Sequence, residues 1–144
     1  MTATVGKTEA LAKIKSLGEK LMTCHMMTGL DQRPISTRPM TIQKIDDQSR
    51  IIFISNKGSD KNQDVERSNE MQLTIADAKD NEFLCIYGTA EIYRDQADVD
   101  EIYDTLDNNW FKGKDDPNIT LIRFTPKSGN YWDAQAKKPV VFGW

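Results

Sequence analysis

Histidine, cysteine and long apolar runs are what this chain of 144 residues has least of. It holds one histidine, His25, and two cysteines, Cys24 and Cys85, sixty-odd positions apart. That inventory leaves a conventional zinc site without ligands, because such sites draw on clustered cysteine and histidine. Each cysteine sits inside an apolar strand pattern, where a free thiol packs as a small hydrophobe. A reducing, cytoplasmic compartment is therefore the expectation. No apolar run approaches the roughly 20 residues of a membrane span. The first residues, Met1 to Lys7, carry no apolar signal-peptide core. Excess charge of either sign is also missing: 19 lysines and arginines face 22 acidic residues, a net charge of -3. Without a basic stripe there is no electrostatic footprint for nucleic acid.

What is present suits one domain with a real core, since the length is near the commonest domain size. Leu11, Ile14, Leu17 and Leu21 recur at spacings of three and four, which predicts an amphipathic helix over 7–22. A first strand follows over 22–28. His25 within it lacks a sequence partner, so a structural role is favoured over that of a catalytic base. Met71, Leu73 and Ile75 alternate with polar residues as in a half-buried strand. Phe83 to Tyr93 is a longer strand in which Gly88 marks a bulge or a close approach. Val99, Ile102, Tyr103 and Leu106 stripe a second amphipathic helix over 96–108. Asp98 and Glu101 at its start complement the helix dipole rather than forming an acid–base pair. Ile119 to Phe124 is a last long strand, a bend at 126–129 follows, and the apolar end 139–144 is expected to dock. Six strands with peripheral helices suggest a small antiparallel barrel.

Residues 35–61 organise the rest. Arg38 precedes a proline and is biased to extended backbone. A turn at Asp46 to Ser49 leads into the apolar run Ile51 to Ile54, which ends in Ser55-Asn56. Gly58-Ser59 then opens a short polar helix with Lys61 in its first turn. An arginine, a lysine, two serines and helix-start N–H groups suit a phosphate if they converge. Pattern alone leaves a plainer reading open, and slightly ahead: a solvated hairpin followed by an ordinary capped helix.

Thr37-Arg38-Pro39-Met40, Ile-Phe-Ile-Ser55 and Gly58-Ser59-x-Lys61, in that order and spacing, resemble the cofactor-binding core of the pyridoxamine 5'-phosphate oxidase-like superfamily. The similarity extends over Trp110-Phe111, Asp115-Asp116-Pro117 and Tyr131-Trp132-Asp133, and is nearest to the bacterial general stress branch. It implies a six-stranded antiparallel split β-barrel that binds FMN, with FAD as the lesser option, between two subunits of a homodimer. It further implies that Arg38, Ser55, Ser59 and Lys61 grip the phosphate. Pro39, Met40 and Thr41 would lie along the isoalloxazine, and Asn56 near the ribityl–phosphate end. Trp110 and Trp132 would form an aromatic wall supplied partly by the partner, with core or dimer packing the equal alternative for each.

Departures from the pattern bear on activity. The Tyr-x-x-x-Arg-x-x-x-Ser helix of the true oxidases has no counterpart, since Tyr103 is followed by Asp104 to Asp107 without an arginine. Phe83 stands about where the oxidases carry a flavin-contacting glutamine, and Asp60 replaces an arginine of their phosphate element. Vitamin B6 oxidation is therefore not expected, and no residue reads as an essential acid or base. Three functions stay open: an FMN-dependent oxidoreductase of unknown substrate, a non-catalytic flavin binder, and a cofactor-free binding module.

Overall fold

The computed structural model describes residues 3–106, 111–133 and 138–144. Among them the elements run β1 (Ala3–Thr4), α1 (Lys7–Leu21), β2 (Thr23–Thr28), β3 (Ser36–Thr41), β4 (Lys44–Ile45), β5 (Ile51–Asn56), α2 (Asp60–Arg67), β6 (Glu70–Asp77), β7 (Glu82–Tyr93), α3 (Gln96–Asp104), β8 (Ile119–Trp132) and β9 (Val140–Gly143). The molecule is mainly β, with three helices among the described residues.

Among the described residues nine strands form one mixed sheet, where the alternation predicts six. Its order is β1-β9-β8-β7-β6-β2-β3, with β5 joined to β8 and β4 to β5. The pairing of β1 with β9 is parallel, and no pairing joins β1 to β3, so the sheet is not closed. The three additional strands are β1, β4 and β9, of two, two and four residues. Segments that short carry no measurable period. The expected bend at 126–129 is instead a bulge inside a continuous β8. Gly88 faces Pro126 while Tyr87 faces Ser128, which leaves Lys127 as the extra residue. Proline has no N–H for the ladder, and a bulge is where a sheet tolerates it. A Cβ on Gly88 would lie 2.1 Å from the Thr125 carbonyl oxygen, so only glycine lets the two strands meet there.

Helix α1 ends because Met22 adopts a left-handed conformation at φ 59° and returns its N–H to the Gly18 carbonyl at 2.8 Å. Its buried stripe, Ala10, Ile14 and Leu17, packs with Met26, Ile42, Phe53, Leu73 and Phe124 in the main core. A smaller cluster holds α3 to the sheet through Val99 and Ile102 against Ile52, Ile119 and Leu121. Helix α3 ends at Asp104, short of the expected range, so Leu106 leaves the helical stripe.

On the face of the sheet opposite α1, helix α3 packs at one end, against Ile52, Ile119 and Leu121. Register aligns Asn130, Cys85, Thr74, His25 and Pro39 in a row across β8, β7, β6, β2 and β3. The exposed pair Phe83 and Trp132 is directly opposed on the same face. No helix among the described residues is long and apolar enough to cross a membrane.

Candidate functional site

The site begins with two strand edges that separate. Ile42 donates its N–H to the Met22 carbonyl at 2.7 Å, whereas Gln43 donates to the Ile52 carbonyl at 3.0 Å. Neighbouring N–H groups of one extended segment point to opposite sides. Even-numbered positions of β3 therefore face β2, and Thr41 and the carbonyl of Pro39 face away from it. On that side β3 has no strand partner among the described residues. Strand β5 pairs β4 only at Ile51 and Ile52. Beyond Ile52 the two edges diverge and leave a cleft.

That cleft has a volume of about 770 Å³ and is lined by Arg38 to Thr41, Gln43, Ile54, Asn56, Lys61, Thr105, Leu106 and Phe111. Lining by four consecutive β3 residues, from both faces of the strand, fits a ligand lying against the strand edge. From Arg38 to Gln43 the wall runs roughly 17 Å, at the rise of an extended chain. Met40 and Ile54 make its middle apolar, while Arg38 and Lys61 bring two cations to it.

Local folding places each cation. Asn56 to Ser59 closes a turn, with the Ser59 N–H bonded to the Asn56 carbonyl at 3.0 Å. Gly58 takes φ +85° at its third position, which glycine accepts at no cost. The turn sets α2 at the end of β5, and Ser59 caps it by accepting from the Asn62 N–H at 3.4 Å. Lys61 thus faces back over the cleft. It makes no ion pair or hydrogen bond among the described residues. Burial, and then the nearby charge of Arg38, hold its pKa below the usual lysine range, with Asp60 opposing. Arg38 donates through Nη1 to Thr28 Oγ1 at 2.8 Å and to the Met26 carbonyl at 3.3 Å. Burial lowers its pKa too, against the opposing charges of Asp64 and Asp60. Two half-buried cations with no carboxylate bonded to either make a site for an anion.

Of the expected residues, Arg38, Pro39, Met40, Thr41, Asn56 and Lys61 meet in this cleft. Ser59 is the helix cap just behind it. Ser55 is on the opposite face of β5 from Ile54 and Asn56, is 3% exposed, and shares a 2.7 Å hydrogen bond with Thr120 Oγ1. It is not a lining residue. Trp132 lies across the strands from Phe83, on the open face of the sheet rather than in the cleft. Trp110 lies outside the described residues. Gln43, Ile54, Thr105, Leu106 and Phe111 line the cleft without having been expected to. The proximity of Gln43 to the Arg-Pro-Met strand was the signal for it, whereas Thr105 and Leu106 read as helix. An acidic group elsewhere, Asp77, Asp80 and Glu82, is not a cation site, because Lys20 Nζ sits among the carboxylates at 2.8, 2.6 and 3.6 Å.

Fold and site together define a β protein with a cationic cleft between two strand edges. The family model for pyridoxamine 5'-phosphate oxidase-like proteins matches residues 9–144, and the chain belongs to that family. Solved structures show the same fold. A protein related to general stress protein 26 from Clostridium acetobutylicum is 21% identical, with a TM-score of 0.72 and coverage of 95% of this chain and 96% of that one. General stress protein 26 from Bacillus anthracis is 19% identical, with a TM-score of 0.71 and coverage of 85% and 93%. A pyridoxamine 5'-phosphate oxidase-related, FMN-binding protein from Nostoc punctiforme is 11% identical, with a TM-score of 0.63 and coverage of 91% and 85%. No curated protein sequence matches the chain.

Proposed function

We infer that the protein is an FMN-binding, general-stress-type homodimer of split-barrel architecture, acting as a flavin-dependent oxidoreductase on a small molecule. The observation that carries this reading is the convergence of Arg38 and Lys61 on one elongated cleft with an apolar middle. A ribityl phosphate with a planar ring system has that distribution of charge and apolar surface. The FMN phosphate is placed between Arg38 and Lys61, with Ser59 and Asn56 at the same end. Ser55 acts from behind by fixing Thr120 and, through it, Asn62. The ring lies along Pro39, Met40 and Thr41, whose edge offers carbonyl and N–H groups. When bound, FMN supplies electron-transfer chemistry at its isoalloxazine, while the protein supplies orientation and electrostatics.

The homodimer is supported by the exposed aromatic pair on the sheet face opposite α1. That face exposes Phe83 and Trp132, at 40% and 39%, and reaches the cleft edge at Pro39. A second copy seated there carries the aromatic wall to the flavin and closes the seam. FAD fits the same cationic end less well, because its phosphates are not terminal.

One observation favours a second reading, a non-catalytic flavin binder. Arg38 and Lys61 are the titratable groups among the described lining residues, and neither is a general acid or base near neutrality. Titration of the purified protein with FMN, FAD, riboflavin and pyridoxal phosphate decides between flavin and other ligands. Tightest binding of FMN supports the proposal, and no flavin binding overturns it in favour of a cofactor-free module. Rapid dark bleaching of the bound flavin by NADH or NADPH under anaerobic conditions selects the oxidoreductase. Bleaching by light alone selects the binder.

A further inference from the structure

Arg38 is not merely present in the cleft; three of its five N–H groups have no acceptor among the described residues. Nη1 carries two hydrogens, and two acceptors take them: Thr28 Oγ1 at 2.8 Å and the Met26 carbonyl at 3.3 Å. Nη2 and Nε have no partner among the described residues, and together they form the edge that takes an anion with two parallel bonds. The acceptor at Nη1 is itself fixed. Thr28 is fully buried, and its hydroxyl proton goes to Asp64 Oδ2 at 2.8 Å. With that proton committed, only a lone pair of Oγ1 can face the guanidinium. Asp64 is held in turn by Arg67 at 3.1 Å, which also reaches Asp31 at 3.3 Å. The chain Arg67–Asp64–Thr28–Arg38 therefore runs from the surface of α2 to the cleft, with each donor directed.

We propose that Thr28 is a positioning residue for anion recognition: its hydroxyl, oriented by Asp64, holds Arg38 by one nitrogen so that the Nε–Nη2 edge meets the phosphoryl group. This rests on the reading of the cleft as a flavin phosphate site. Without the hydroxyl, the guanidinium keeps only the longer bond to the Met26 carbonyl at 3.3 Å and samples several arrangements, so part of the binding free energy is spent on ordering it.

The test is a cycle of Thr28→Val, Arg38→Met and the double variant, each titrated with FMN and with riboflavin, which lacks the phosphate. Thr28→Val is expected to weaken FMN about tenfold and riboflavin less than twofold. Thr28→Ser, which restores the hydroxyl, recovers FMN affinity to within about threefold. In the Arg38→Met background Thr28→Val brings no further loss, because its effect passes through the guanidinium. Additive losses, or equal losses for riboflavin, overturn the positioning role while leaving the cleft assignment intact. Unchanged FMN affinity in Arg38→Met overturns the cleft assignment itself. Thermal melting checks the fold of each variant, and Thr28→Ala takes the place of Thr28→Val in the cycle if the valine variant does not fold.

Discussion

Lys61 and Arg38 line the same cleft, and the positive charge of Arg38 adds to burial in lowering the pKa of Lys61. A lysine whose pKa is lower folded than unfolded opposes folding while it is charged. The penalty is present at neutral pH and fades as pH rises through the folded value toward 10.5, the ordinary one. Lys61→Met is therefore expected to raise the Tm of the ligand-free protein at pH 7, by about 2 °C for a chain of this size. At pH 10.5 the difference should shrink. FMN should reverse the ranking at pH 7, since a ligand of the native state stabilises in proportion to its occupancy. Thermal melts at both pH values, with and without FMN, measure all four quantities. A lower Tm for ligand-free Lys61→Met at pH 7 would sink the claim of charge frustration.

Removal of both cations tests the site more bluntly. Hydrogen bonds to charged groups contribute ~1.5–3 kcal/mol each. Arg38→Ala combined with Lys61→Ala should weaken FMN at least tenfold and leave the circular dichroism spectrum unchanged. Equal affinity of the double variant and the parent would place the phosphate elsewhere.

Acid stability should depend on the latch between α1 and the β6–β7 turn. Lys20 reaches Asp77 at 2.8 Å and Asp80 at 2.6 Å. The hydrogen bond from Lys20 is the main cause of a depressed Asp77 pKa, helped by the Asp80 and Lys79 N–H groups. A carboxylate with a depressed folded pKa stabilises the native state above its unfolded value, near 3.8, and loses that contribution as pH falls through the folded value. Asp77→Asn should lower the Tm at pH 6, with the gap to the parent closing as pH falls below 3.8 and through the folded value. A gap that is constant across this range would show that Asp77 acts by packing alone.

The β7–β8 contact gives a stability prediction free of charge. A methyl at Gly88 meets the Thr125 carbonyl oxygen at 2.1 Å and the Phe124 ring at 2.9 Å. Backbone cannot yield as a side-chain tip does, so Gly88→Ala should cost about 2–3 kcal/mol, near the upper end for overpacking. Denaturant titration reads this as a lower midpoint at an unchanged slope. A loss under 0.5 kcal/mol, in the range of a neutral surface change, would mean that the bulge relaxes.

How much of this was legible depended on whether a residue's role is written locally. The alternation of Met71, Leu73 and Ile75 and the i, i+3, i+4 stripe of α1 each state which face is buried. Pro126 reads as a break, yet the strand passes through it, because the compensation is a bulge opposite Gly88 on another strand. Ile51 to Ile54 is apolar at every position, so its run cannot say on which face Ser55 falls. Register with β8 decides that by pairing Ser55 with Thr120. Thr28 and Asp64 lie 36 residues apart, and no pattern in either segment announces their hydrogen bond. The cleft residues within 38–41 and 56–61 were reached through the family resemblance of that stretch, because its glycine, proline and two cations alone left an ordinary hairpin and capped helix slightly ahead. The residues that orient them come from elsewhere in the chain.

The open sheet face yields the last prediction. Phe83 and Trp132 oppose each other across β7 and β8, each about two-fifths exposed. Large aromatic pairs left in water are the kind of surface that interface cores draw on. If a second copy covers them, a carboxylate at Trp132 must be buried unpaired at the seam, which costs several kcal/mol. Trp132→Glu should therefore convert the dimer to a monomer in light scattering coupled to size exclusion. On the proposed reading, in which the same seam completes the flavin site, FMN affinity should fall with the dimer, although residue 132 is on the sheet face and not in the cleft of its own chain. A monomeric variant that binds FMN as the parent does would separate the two properties and confine the site to a single chain. A variant that remains a dimer would move the interface off this face.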